Sequence, residues 1–398
     1  MFGKWLRLNR INHMNLSRIT TSILAITLLL ASSGMAENAV DQAARDAVVA
    51  KLIKNDVSVL GLDSKKENGG PQIALGTGPD GSKNNSASDE NLALIAQLPE
   101  LERIAVYYGR FSADGLAKLA ALPKLRSISF LSPTVEPTVF AGLAKSKSLE
   151  EIRFVQFNVS NEMLGYLKEL PGLKSFEATQ MAGKLLSVST VSNFLATHED
   201  LRQFLLTSDG IDDDCLKQLG RMKNMERLML TSRMVTPAGW FELAGLKKMR
   251  FLDLRGTNFD DVSASALEGM RELHYLHLDQ TRITDAGMAS LAGLKKLVNL
   301  SLGETKVTDT GMVHLKELTA LENSDFSRTA VTAKGLAFVP KKEKMLMMRV
   351  GSDRLSPQQF KEFRQMFPMT QMFDPSGYWT DDRIKAAMKE LDNAASKP

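Results

Sequence analysis

The chain has 398 residues, 43% of them apolar and 24% charged, a balance that excludes a disordered chain. Its formal charge of +4 comes from Lys4, Arg7, Arg10 and Arg18; set aside from the 50 basic residues, they leave 46 basic against 46 acidic. No basic excess remains to attract nucleic acid.

Those four cations lead into Ile23–Ala31, apolar except for Thr27, and then into Ser32, Ser33, Gly34 and Ala36. A basic, an apolar and a small-residue segment in that order predict a secretory signal over residues 1–36, cleaved after Ala36, and a secreted or periplasmic destination. The apolar run is short for about 30 Å of hydrocarbon, so no stable membrane span is expected after cleavage. With a single cysteine, Cys215, the chain has no internal disulfide framework. Cys215 reads as a small buried filler, an intermolecular disulfide being the alternative.

Residues 37–100 read as an N-terminal cap. Val40, Ala43, Val48 and Leu52 stripe one face of a helix. Residues 57–62 look like a degenerate first strand. Residues 63–89, rich in Gly, Lys, Asn and Ser, are expected to be a flexible insertion. Residues 91–98 supply the helix half of an irregular repeat.

From 101 to 350 the chain is periodic. Leu101, Leu125, Leu149 and Leu173, then Leu201, Met225, Met249, Leu273, Leu297, Leu321 and Met345, stand 24 residues apart, with one interval of 28 between Leu173 and Leu201. A fixed period of this size means one supersecondary unit stacked on itself. In the copy that starts at Leu297, Leu300 and Leu302 alternate with polar residues, a short strand with one buried face. Thr308 is a candidate N-cap, Asp309 suits the first turn, and Met312 and Leu315 form the stripe of a short helix. Val307 fills the corner. Thr281 to Leu291 and Thr329 to Leu336 repeat the pattern. In the earlier copies Gly109, Pro133 and Phe157 replace the Thr that closes the strand. Pro133 and Pro137 predict an irregular convex side there, and residues 181–190 a four-residue loop extension.

The pattern L-x-x-L-x-L-x-x-T-x-[IV]-T-D-x-G-[LM]-x-x-L resembles the leucine-rich repeat of large exported bacterial proteins, and is most similar to the class built like ribonuclease inhibitor. The resemblance implies an α/β fold: a right-handed solenoid or horseshoe, with a parallel sheet on its concave face and short helices on its convex face.

Residues 351–398 read as a C-terminal cap and tail. Ser356 and Pro357 begin a helix, residues 380–394 are expected to form another, and Phe367, Met369, Met372, Phe373, Tyr378 and Trp379 between them read as a lid over the last repeat, a docking surface for a partner being the alternative.

The outward strand positions are the third, fifth, seventh and eighth of each repeat. The fifth-position column runs through Leu205, Met229, Asp253, His277, Ser301, Asp325 and Arg349. Arg255, Asp279, Glu304 and Arg328 lie beside it, and Tyr107 and Tyr108 belong to the upstream half with Leu131 and Val155. These residues predict a ligand-binding face that is apolar upstream and charged downstream, suited to another protein or peptide. Asp253, His277 and Ser301 have the residue types of a hydrolytic triad. Parallel strands aim all three side chains the same way, however, and strand N–H groups leave no oxyanion hole. Recognition is therefore favoured over a hydrolase at this strip. A third reading, an envelope protein that binds glycan, asks for aromatic rings on the concave face, where Tyr107 and Tyr108 are the two counted. No metal-ligand spacing, G-x-S-x-G or phosphate loop occurs, so neither metal nor cofactor is expected, and nothing in the sequence fixes an oligomeric state.

Overall fold

A computed structural model describes residues 35–60, 72–76, 86–179, 186–340, 345–351, 357–368, 370–374 and 377–378, with the single positions 386 and 389. The expected signal lies outside the described residues except for Met35 and Ala36, which begin the helix Met35–Lys54. The four-residue extension and the helix over 380–394 also lie mostly outside them.

The strands are β1 (Ser58–Leu60), β2 (Gln72–Leu75), β3 (Arg103–Tyr107), β4 (Ser127–Leu131), β5 (Glu151–Val155), β6 (Ser175–Thr179), β7 (Gln203–Leu206), β8 (Arg227–Leu230), β9 (Phe251–Asp253), β10 (Tyr275–His277), β11 (Asn299–Ser301), β12 (Asn323–Asp325), β13 (Met347–Arg349), β14 (Gln371–Asp374) and β15 (Gly377–Tyr378). They lie side by side in chain order in one open sheet. From β2 to β14 every pairing is parallel; β1 and β15 close the two ends antiparallel. The register restates the period. Ile104 faces Ile128, which faces Ile152 and then Phe176; Phe176 faces Phe204 across the longer interval. Leu252, Leu276, Leu300, Ser324, Met348 and Met372 continue the row. This is an α/β leucine-rich-repeat solenoid.

Three strands were not expected: β2, β14 and the short β15 that pairs with β14. β2 forms within the stretch read as an insertion and seats Ile73 beside Ile104. β14 extends the array past residue 350 at the same 24-residue step, Met347 facing Gln371, so the segment read as a lid supplies a further rung. Phe367, fully buried, closes the core beneath it.

Inward residues such as Leu300 and Leu302 are completely buried. In the N-terminal half the core is an aromatic ladder. Phe130 and Phe154 lie 5.3 Å apart, Phe154 and Phe176 6.2 Å, and Phe176 and Phe204 5.9 Å. The convex side has α-helices where apolar residues recur at i, i+3 and i+4, as with Leu116, Leu119 and Ala120 in Ala113–Ala120. Pro137–Leu143 is a 3₁₀ turn, matching its prolines. The expected helix at Met312 and Leu315 is also a 3₁₀ turn, Gly311–Leu315. Thr308 accepts from the Thr310 N–H at 3.2 Å rather than capping a helix. An i, i+3 pair with no i+4 partner suits the tighter turn, whose side chains eclipse every three residues. Strands sit about 4.8 Å apart and convex elements need more room, so the array bends with the sheet inside.

β3, β4, β5, β9, β10, β11 and β12 end in the same turn. Tyr108, Ser132, Gln156, Gln280, Glu304 and Arg328 have φ between 44° and 58°, and Gly256 has 71°. This left-handed kink costs a non-glycine residue about 1–2 kcal/mol. In exchange the N–H reaches one more carbonyl of the next repeat, as Gln280 does to Gly303 at 2.8 Å.

A second set of links joins neighbouring repeats. The N–H and hydroxyl of Thr236, Thr284, Thr308 and Thr332 donate to Asp213, Asp261, Asp285 and Asp309 of the preceding copy at 2.6–2.8 Å.

Candidate functional site

The open face of the sheet carries the third, fifth and seventh positions of every repeat, because side chains alternate along a strand and the intervening ones fill the core. Among the described residues, two depressions stand out on it. The larger, about 760 Å³, is lined by Met229, Asp253, Arg255, His277, Asp279, Ser301, Glu304, Asp325 and Arg349 among others. Nine of the twelve candidate residues are thus brought together. Arg328 joins at the rim, its Nη1 2.9 Å from Glu304 Oε1. Tyr107 lines the smaller depression, about 320 Å³, with Ala105, Ser129, Leu131 and Val155. Tyr108 sits in the left-handed turn after β3 and lines neither. Arg153 and Glu151 also line the smaller depression, where Arg153 reaches Glu177 at 2.8 Å and Glu151 at 3.2 Å.

Asp253 is the anchor of the larger groove and is only 1% exposed. Arg255 closes on it with Nη2 at 2.6 Å and Nε at 3.0 Å, and His277 Nδ1 lies 3.5 Å away. Burial alone would raise the Asp253 carboxyl; the His277 ring and the Arg255 guanidinium outweigh it and hold the group below the usual carboxylate range. Arg255 is raised in turn by its hydrogen bond to Asp253.

Asp279 behaves oppositely. Burial, assisted by the nearby Asp325 charge, raises its carboxyl above the usual range. One oxygen accepts from the Ser301 hydroxyl and from the Gly303 N–H at 3.0 Å. Ser301 is therefore engaged with Asp279, and Asp253, His277 and Ser301 do not form a hydrogen-bonded relay. Asp325 accepts from Ser327 at 2.6 Å and Arg349 at 3.3 Å. Among the described residues no group of three or more His, Cys, Asp or Glu is placed to hold a metal ion.

The apolar upstream half is narrower than expected. Tyr107, Leu131 and Val155 are half-buried, but Leu205, in the same column as Glu177 and Met229, is 5% exposed and offers a ligand little area. Conversely, two aromatic residues of this face were missed. Phe251 and Tyr275 occupy the third position on β9 and β10, their ring centres 6.2 Å apart. The Arg227 guanidinium lies 4.5 Å over Phe251 and the His277 ring 5.7 Å from it. Reading the third column as fully as the fifth would have found them.

No protein-family model matches the chain, and no curated protein matches it. Solved structures do. An internalin of Listeria monocytogenes is 18% identical, with 64% of this chain and 69% of that one covered and a TM-score of 0.46. A leucine-rich-repeat protein of Leptospira interrogans is 14% identical, with 70% and 91% covered and a TM-score of 0.35. The fold rests on the register and core described above and not on these likenesses.

Proposed function

We propose that the protein is an exported, non-catalytic scaffold that binds another protein or peptide on its sheet face. Within leucine-rich-repeat solenoids we place it with the 24-residue bacterial variety, nearest the ribonuclease-inhibitor class. One observation carries the reading. Along a single open face, half-exposed Tyr107, Leu131, Val155 and Met229 give way to the ion-paired Asp253, Arg255, Asp325 and Arg349. An interface needs an apolar centre that can be desolvated and a polar rim that fixes register, and Met229 beside Arg255 stands where the two meet. Engagement of the Ser301 hydroxyl by Asp279 supports recognition over hydrolysis. Among the described residues no helix is long and apolar enough to cross a membrane; export rests on the sequence of residues 1–36, and N-terminal sequencing of exported protein should begin at Glu37.

The binding test starts from a partner recovered from the cell-envelope fraction. The pair Met229→Ala with Arg255→Ala should weaken its binding by about 2 kcal/mol or more, the scale of central anchors. Lys295→Ala with Lys296→Ala, on exposed positions away from the groove, should leave it unchanged. Loss of binding in the lysine pair alone, with both proteins folded, would reject the sheet face.

A further inference from the structure

We propose that a carbohydrate subsite lies at the edge of the larger groove, where Tyr275, next in column to the lining residue Asn299, stacks on the apolar face of a neutral sugar ring and Asn299 and Asn323 bind its hydroxyls. This adds a second ligand chemistry to the polypeptide reading and rests on a different column of the same face.

The platform comes first. Tyr275 is 43% exposed, unusual for a ring on a strand three residues long. It is not loose: Phe251 backs it at 6.2 Å, and Phe251 is itself held by Arg227 on one side and His277 on the other. A ring supported in this way presents apolar area at little entropic cost. The register then carries the same column from Tyr275 to Asn299 and from Asn299 to Asn323, and both amides line the groove. An amide donates and accepts at once, as a pair of neighbouring sugar hydroxyls does.

Charge decides what kind of ligand fits. The arginines of the groove are already matched, Arg255 to Asp253, Arg349 to Asp325 and Arg328 to Glu304. Asp279 is held by Ser301 and a backbone N–H. The remaining walls include the hydroxyls of Thr207, Thr231 and Ser327 and the amides of Gln280, Asn299 and Asn323, beside the side chains of Met229 and Met347. An ionic ligand would have to break existing pairs; an uncharged, polyhydroxylated one need not.

The test uses the mature chain and neutral hexasaccharides of glucose, mannose, galactose and N-acetylglucosamine, with sulfated and sialylated glycans alongside, by titration calorimetry. At least one neutral hexasaccharide should bind. Tyr275→Ala and Asn299→Ala should each weaken it about tenfold. Tyr275→Phe should retain most of the affinity, and Tyr166→Ala, on the convex helix Asn161–Leu167, all of it. Binding of none of the neutral sugars, binding of charged glycans alone, or affinity indifferent to Tyr275→Ala in a folded protein would overturn the subsite. If Tyr275→Ala weakens only the recovered polypeptide partner, the aromatic pair belongs to the protein interface, and the carbohydrate subsite fails while the polypeptide reading stands.

Discussion

At the scale of single residues, the T-D-x-G motif has a spatial meaning that its spacing alone hides. Asp285 suits the first turn of its own helix, yet its carboxylate reaches the next repeat, where Thr308 donates twice. It also sits where a side chain at Gly311 would be, 2.5 Å from the Cβ position. The same relation holds for Asp89 with Gly115, Asp213 with Gly239, Asp261 with Gly287 and Asp309 with Gly335. Cys215 and Ser263 take the glycine's place only where the preceding copy has Val188 or Pro237 instead of Asp. That explains Cys215 as filler, and burial pushes its thiol up to about 12, out of reach of ordinary redox chemistry. Gly311→Ala should therefore destabilise by about 2 kcal/mol. Asp285→Ala should cost about 1–3 kcal/mol by leaving Thr308 unpaired. Together they should cost less than the sum, a coupling that denaturant melts of the four proteins would reveal. His198 provides a pH test. It is 3% exposed, and burial lowers its pKa from 6.5 against the backbone hydrogen bonds that favour the charged ring. The unfolded chain then binds a proton that the folded one refuses. Stability should fall as pH drops below about 6.5, at a slope no steeper than about 1.4 kcal/mol per unit, and the fall should be smaller in His198→Phe.

At the scale of elements, what the sequence disclosed was whatever repeats. Inward leucines, strand-closing threonines and corner aliphatics recur at fixed spacing, so strand order and register follow from counting. The misses are places where the repeat's residue types lapse. β2 lies in a stretch rich in Gly and Asn, and neighbouring strands, not its own composition, hold it in the sheet. β14 carries Met372 and Phe373, and the helix Pro357–Met366 gave the segment before it the look of a terminus. The candidate groove was legible down the fifth column, where side-chain direction follows from strand alternation. Phe251 and Tyr275, equally legible in the third column, escaped because only the fifth was followed strand by strand; their contact across strands shows in the structure alone. Ser324 is the opposite kind of lapse. It occupies an inward slot between Leu300 and Met348, is 5% exposed, and its hydroxyl finds no partner. Ser324→Ala removes a buried polar atom and should raise stability by about 1 kcal/mol in thermal melts.

At the scale of the molecule, each repeat touches only its neighbours, so damage should stay local. Leu300→Ala, at a fully buried site, should cost about 2–5 kcal/mol. Hydrogen exchange should show the lost protection centred on residues 273–320, whereas uniform loss along the chain would contradict a quasi-one-dimensional array. The Asp-to-Thr links have a further consequence, because the copies that begin at Leu273 and Leu297 each offer the same acceptor forward and the same donor back. Excise residues 297–320, one full period, and Tyr275 would meet Asn323 in the sheet while Asp285 received Thr332 in place of Thr308. Every joint closes with the parts it had before. Copies of this kind are in this sense interchangeable links, and where they stand the protein's length can be edited in steps of one link between two ends that cannot be exchanged.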